Sequence, residues 1–254
     1  MSKSKKELKE EMELQAPVKV YVFSKLRHNT ITTLKALGNI KPTLVLEKGE
    51  VSMYKERHKN IDVLVLPENE RGINYAKNYV LSKAKGWVWF LDDDIDGFFL
   101  FKDGKRTRIS SDGLYGFEVV CSTTENVIMG GLSELSTKLP KKRNTFNTLC
   151  DKVVLLNADY MRAIGAKYDE NLRSHGAEDF TLQCLSKAGR VMRSNTFTYH
   201  TKKIKEGGMQ TALNENQEIN SRIYLKQKWG SMFVEIVENN NHRLKINWRH
   251  FKNN

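Results

Sequence analysis

The chain has 254 residues, 39% hydrophobic and 28% charged, the proportions of a globular protein with one large domain, which exclude a wholly disordered or collagen-like chain. Lys and Arg number 42 against 30 Asp and Glu, a formal net charge of +12 that favours polyanionic partners: nucleic acid, acidic lipid headgroups or phosphorylated substrates. No stretch approaches the ~18 consecutive apolar residues of a membrane-spanning helix, and charge stands where a signal peptide carries its apolar segment, so a cytoplasmic protein with no membrane partner is expected.

Residues 1–16 are rich in Lys and Glu and read as a charged tail. The β-branched and aromatic run Val18 to Phe23 predicts a first strand. Ile31, Leu34 and Leu37 then fall at helical spacing before Gly38, a C-terminal cap. Thr43 to Leu46 and Ile61 to Leu66 predict two further strands, the second stopped by Pro67. Between Gly72 and Ala84, Ile73, Ala76, Tyr79 and Val80 recur at helical spacing. Trp87 to Leu91 follows as an unbroken apolar run and ends in Asp92-Asp93-Asp94-Ile95-Asp96, the pattern of a buried central strand. Strands alternating with helices predict an α/β fold with a mostly parallel central sheet.

Beyond residue 97, Phe98 to Phe101 and Arg106 to Ile109 predict a hairpin around Asp103-Gly104. Val119 to Met129 forms an apolar stretch closed by a Gly-Gly break, and Lys138 to Arg143 is basic. Val153 to Leu156 reads as a strand, Ala158 to Ile164 and Phe180 to Ala188 as helices. The last fifty or so residues are basic, with Tyr224, Trp229, Phe233, Trp248 and Phe251 interleaved. Cys121, Cys150 and Cys184 are too widely spaced for paired zinc ligands and read as buried hydrophobes.

The aspartates sit where the fourth strand ends, and open α/β sheets bind ligands at the carboxyl ends of strands. Carboxylates this close repel one another, and a divalent cation is the usual means of keeping them ionised. Hard oxygen ligands suit Mg or Mn bridging to substrate phosphates. Asp92, Asp94, Asp96 and Gly97 also match an EF-hand loop, but their flanks are strand-like where that motif needs helices. A phosphatase nucleophile would follow the first strand, not the fourth.

The stretch Asn69 to Gly72, Ala76-Lys77-Asn78, Ala84 to Gly86 and Trp87 to Asp94 resembles nucleotide-sugar glycosyltransferases of the GT-A fold. In those enzymes a Gly-x-x-x-Ala-Arg-Asn helix leads into a strand ending in Asp-x-Asp; Lys77 here replaces the arginine. Gly165 to Leu172 with Gly176 to Phe180 resembles their acceptor-side segment, Tyr199-His200 their third metal ligand, and Leu225 to Gly230 a C-terminal element. The resemblance spans residues 17–235. It implies a nucleotide-sugar-binding half over 17–100 and a smaller acceptor half over 101–235, followed by a basic C-terminal extension over 236–254.

Within that superfamily the compact size and basic surface most resemble the phage TET-associated glycosyltransferases. This implies transfer from a nucleotide-diphosphate sugar, a UDP-sugar foremost, to hydroxymethylated cytosine in double-stranded phage DNA, in the host cytoplasm. By the same resemblance Asp92, Asp94 and His200 would hold Mn or Mg. Ser24, Arg27, Glu47, Arg71, Lys77 and Asp93 would meet the donor. Asp179, with Glu178 second, would take the acceptor's proton at a helix N-terminus. Lys102, Lys105, Arg106, Arg108, Lys141, Lys142, Arg143, Lys202 and Lys203 would face DNA. The rival readings are a transferase acting on a cell-surface glycan or lipid-linked acceptor, and a non-catalytic nucleic-acid-binding domain.

Overall fold

The computed structural model describes residues 18–102, 104–111, 113–135, 142–187, 189–204, 206–208, 214–230, 233–238 and 241–251. The charged tail over 1–16 and Lys141 lie outside them. The first half alternates as the sequence predicts: β1 (Lys19–Phe23), α1 (Thr33–Leu37), β2 (Thr43–Glu47), α2 (Val51–Arg57), β3 (Asp62–Leu66), α3 (Ile73–Lys83) and β4 (Trp87–Asp92). The hairpin β5 (Ile95–Lys102) and β6 (Lys105–Ile109) follows, then α4 (Gly113–Thr123), β7 (Val127–Glu134), β8 (Asn144–Phe146) and β9 (Val153–Asn157). The chain continues through α5 (Ala158–Ala163), α6 (Gly176–Lys187), β10 (Arg190–Thr201) and α7 (Glu215–Trp229), and closes with β11 (Phe233–Glu238) and β12 (Asn241–Ile246).

Ten strands form one mixed sheet in the order β3-β2-β1-β4-β9-β7-β10-β5-β6, with β8 beside β10. Strands β3, β2, β1 and β4 are all parallel. β9 enters antiparallel to β4 and to β7, and β10 runs parallel to β7. The carboxyl ends of β4 and β10 therefore share an edge with the start of β9 and, through the antiparallel β10–β5 pairing, with the start of β5. That edge collects Asp92 to Asp96, Asp151 with Lys152, and His200 from three segments distant in sequence.

Successive strand residues face opposite sides, so each strand feeds two cores. Tyr21, Phe23, Val88, Phe90, Val154 and Leu156 pack with Val80 of α3, Met161 of α5, Phe180 of α6 and Leu225 of α7. Val20, Val22, Trp89, Leu91, Val153 and Leu155 pack with Leu37, Tyr54, Leu114 and Phe117 on the opposite face. The result is a helix–sheet–helix sandwich, the α/β architecture expected.

Three expectations change. The stretch over Val119 to Met129 is divided between α4 and β7, and Gly130-Gly131 continues β7 where a break is expected. A Cβ on Gly130 would lie 2.6 Å from Cys121 Sγ and 2.8 Å from Phe117, so the bare backbone is what lets α4 rest on the sheet. Helix α6 starts at Gly176, four residues ahead of the apolar run. The β11–β12 hairpin crosses the 235/236 boundary, and Ile246 and Phe251 join the core with α7. All three cysteines are buried and free. Among the described residues no helix is long and apolar enough to cross a membrane.

Candidate active site

The aspartate turn is braced from the backbone outward. The Asp92 amide donates to the Lys152 carbonyl at 2.9 Å, and the Asp92 carbonyl accepts from Thr33 Oγ1 at 2.7 Å. The Asp93 carbonyl accepts the amides of Thr32 and Thr33, while Ile95 N–H donates to Thr33 Oγ1. Asp93 turns inward and is 4% exposed. Its Oδ1 takes Arg27 Nη1 at 2.6 Å and its Oδ2 takes Ser24 Oγ at 2.5 Å. Burial raises the Asp93 pKa, against the opposing pull of Ser24 and Arg27. Ser24 Oγ also lies 2.6 Å from the Tyr54 hydroxyl, and Arg27 donates to the carbonyls of Glu206 and Gly207. Ser24, Arg27 and Asp93, expected to meet the donor, thus form an internal brace beneath the aspartate turn.

Asp92 and Asp94, on either side of Asp93, are each half-buried. Asp94 Oδ2 meets Lys152 Nζ at 3.3 Å, whereas its Oδ1 is buried and has no hydrogen-bond partner among the described residues. Burial pushes the Asp92 carboxyl up to about 7; the Lys77 cation opposes this and Asp151, Asp94 and Asp93 add to it. Burial likewise raises Asp151, with Lys77 opposing and Glu178 adding. Asp92, Asp94, Asp151, Glu178, Lys77 and Lys152 therefore share one electrostatic neighbourhood in which acid outweighs base. A hard divalent cation fits that donor set: Mg-type sites need one or two protein carboxylates, completed by water and substrate phosphate. Among the described residues, however, no three His, Cys, Asp or Glu side chains converge as a cage. His200 Nδ1 meets Asp96 Oδ1 at 2.7 Å, a contact that orients the ring and leaves Nε2 as the nitrogen a ligand would meet. The β10–β5 register sets His200 opposite Gly97, beside Asp96, and so directs it there.

At α6 the two acids separate. Asp179 is fully buried: Trp229 Nε1 donates to its Oδ1 at 2.8 Å, Lys228 Nζ lies 2.9 Å from the same oxygen, and Gln183 Nε2 reaches Oδ2 at 2.7 Å. Asp179, expected as the base, is thus held by three side-chain partners at the start of α6. Glu178 is half-buried, with its Oε1 3.1 Å from His175 Nδ1.

The sequence of the chain matches the family model for the TET-Associated Glycosyltransferase over residues 18–209. The chain belongs to that family. Comparison with curated proteins finds no sequence match. Among solved structures, S. aureus TarS 1–349 in complex with UDP-GlcNAc superposes with a TM-score of 0.56 and 14% identity, covering 82% of this chain and 65% of that one. Glucosyl-3-phosphoglycerate synthase from Mycobacterium tuberculosis, in complex with Mg2+ and UDP, gives 0.53 at 7% identity over 97% of this chain and 92% of that one. GalNAc-T7 with UDP, GalNAc and Mn2+ gives 0.53 at 10% identity, covering 74% of this chain and 44% of that one. The likeness is one of fold, the GT-A arrangement, and the chain spans 65% of the length of the TarS structure.

In this TET-associated glycosyltransferase the remaining expected donor residues divide. Glu47 ends β2 and accepts Lys25 Nζ and the Glu70 amide, both at 3.0 Å. Arg71 is held at the surface by Glu68 and Glu170. Lys77 is half-buried, its Nζ 5.2 Å from the Tyr168 ring centre, and lowers the pKa of both Asp92 and Asp151. Of the expected DNA-facing residues, Lys105, Arg106, Arg108, Lys142, Arg143, Lys202 and Lys203 are exposed. Lys102 closes the β5–β6 hairpin opposite Lys105. The Lys202 amide donates to the Asp94 carbonyl at 2.8 Å, which joins that basic segment to the aspartate turn. Sequence reasoning missed Asp151 and Lys152. Their only signal is an acid and a base before an apolar run, and the antiparallel entry of β9 is what brings them to Asp92.

Proposed function

We propose that the protein transfers a sugar from a UDP-sugar to the hydroxymethyl group of 5-hydroxymethylcytosine in double-stranded DNA, in the cytoplasm of a phage host, with Mn or Mg held by Asp92 and Asp94. The observation that carries the reading is the buried Oδ1 of Asp94, unpartnered among the described residues, in an acid-rich cluster at the carboxyl edge of the sheet. The family match supports the reaction class. The UDP complexes of TarS, the mycobacterial synthase and GalNAc-T7 support the donor. The net charge of +12 and the exposed basic strand β6 support a polyanionic acceptor.

A bound divalent ion would neutralise pyrophosphate charge and act as a Lewis acid toward the leaving nucleotide. Lys77 and Lys152 add fixed positive charge at the same cleft, where preorganised electrostatics favour a leaving diphosphate. Glu178, oriented by His175, accepts the hydroxyl proton as the acceptor oxygen bonds to the anomeric carbon and the bond to the diphosphate breaks, releasing UDP. Asp179 holds α6 in place from behind. Reaching a base substituent within a duplex calls for flipping the nucleotide out.

The test combines purified protein, Mn and a panel of UDP-sugars with duplex DNA carrying cytosine or 5-hydroxymethylcytosine. The expected result is a sugar-sized mass gain confined to the hydroxymethylated nucleoside, abolished by EDTA. Asp94→Asn should reduce turnover about 100- to 1000-fold while DNA binding persists. UDP release without DNA modification would reject this acceptor, and transfer undiminished by EDTA would reject the metal.

A further inference from the structure

A hollow of about 290 Å3 lies between the loop ahead of α6 and helix α7, lined by Asn171, Arg173, Gln217, Asn220, Ser221 and Tyr224. It opens beside Gly72 at the head of α3, where a Cβ would lie 3.3 Å from Arg173 Nη1. Every lining side chain is polar or carries a polar end, so an acyl chain has no apolar wall to meet.

The neighbouring acids all have partners. Asp169 receives Tyr224 Oη at 2.9 Å and Lys228 Nζ at 2.7 Å. Glu170 is held by Arg71 and Asn78, each at 3.0 Å. Glu218 pairs with Arg222. Arg173 by contrast is exposed and makes no hydrogen bond or ion pair with any described residue, so its guanidinium is free to meet a ligand in the hollow. Asn220 is likewise exposed and free among the described residues. At the wall, the Ser174 amide donates to Ser221 Oγ, while the Ser174 hydroxyl is buried without a partner among the described residues.

A guanidinium beside carboxamides and a phenol ring matches a nucleotide. Arginine forks onto phosphate oxygens, carboxamides pair with base edges, and an aromatic face stacks on a base. The hollow has room for one base and not for a duplex. Its position points to the acceptor strand: Arg173 stands two residues before His175, which holds Glu178.

We infer that this hollow is a subsite for a nucleotide of the acceptor strand adjacent to the one being modified, with its phosphate on Arg173 and its base edge on Asn171 and Asn220. The inference rests on the DNA-acceptor reading and adds a recognition element to it. A strand reaching Glu178 sets its next nucleotide here, and bases that suit the carboxamides are bound better, so modification depends on the flanking sequence.

The experiment measures anisotropy of labelled single-stranded and duplex oligonucleotides across a salt series, alongside UDP binding by calorimetry, for wild type, Arg173→Gln, Arg173→Lys and Asn220→Ala. Arg173→Gln should weaken DNA binding about tenfold and lower the salt slope by about one. UDP affinity and thermal stability should not move, because the side chain has no partner in the fold. Arg173→Lys should restore the slope, and Asn220→Ala should flatten discrimination between flanking bases while keeping it. Wild-type DNA binding with an unaltered Arg173→Gln slope would overturn the subsite and leave the DNA reading standing. An equal loss of UDP affinity would assign the hollow to the donor and overturn the inference. A wild-type protein with no affinity for any oligonucleotide would overturn both.

Discussion

Glu178 and Asp179 are neighbours in sequence held in different surroundings, one half-buried and one fully buried. Glu178→Gln should lower kcat by about 100- to 10000-fold, as loss of a general base does, and leave the unfolding midpoint in place. Asp179→Ala should instead cost about 1–3 kcal/mol in urea unfolding, because it leaves the Trp229 indole N–H and the Gln183 amide without their buried acceptor while Lys228 keeps Asp169. Full activity in Glu178→Gln would remove it from the chemistry. On the opposite face of the sheet, Glu118 accepts from Trp89 Nε1, and burial pushes its carboxyl up from 4.5 to about 7. A raised carboxyl pKa means that the folded state holds the proton more tightly than the unfolded chain. Its contribution is full below about 4.5 and is lost as the pH rises to about 7, at most ~3 kcal/mol. Glu118→Gln should therefore be the more stable protein at pH 8 and show a flatter stability profile between pH 5 and 8, measured by urea denaturation. A profile parallel to that of wild type would refute the assignment.

At the scale of elements, β4 and its acid turn are legible because an unbroken apolar run bounded by Gly86 and Asp92 has few other solutions in an α/β fold. Helix α3 is legible from spacing alone. Helix α4 is not, because its solvent side carries Val119 and Val120, a β-branched pair that mimics a strand, while Leu114, Phe117 and Cys121 form the buried face. Gly130 and Gly131 look like a break in one dimension; in three they are the clearance for Phe117, Cys121 and Cys150. The site divides on the same line. The Asp-x-Asp pair is local and could be read, whereas the brace from Arg27 to Asp93, the approach of Asp151 and the sealing of Asp179 by Trp229 all join residues fifty or more positions apart. No spacing rule reaches that far, and the direction of β9 decides it.

For the molecule as a whole, the tail expected as a basic extension is partly structural. Phe251 is 4% exposed within the core that holds α7, and its carbonyl accepts from the Asn147 side chain. Phe251→Ala should destabilise the protein by about 3–5 kcal/mol in urea unfolding, the cost of emptying an aromatic site. A loss under ~1 kcal/mol would make the segment an appendage after all. Among the described residues the sheet also has an unpaired rim. β6 is its last strand, and an unpaired strand invites the backbone of another sheet to add to it. Here that rim bears Lys105, Arg106 and Arg108, all exposed. Like charges on an edge strand oppose pairing with a second copy, so the cations proposed to meet phosphate would also guard that rim against edge-to-edge growth.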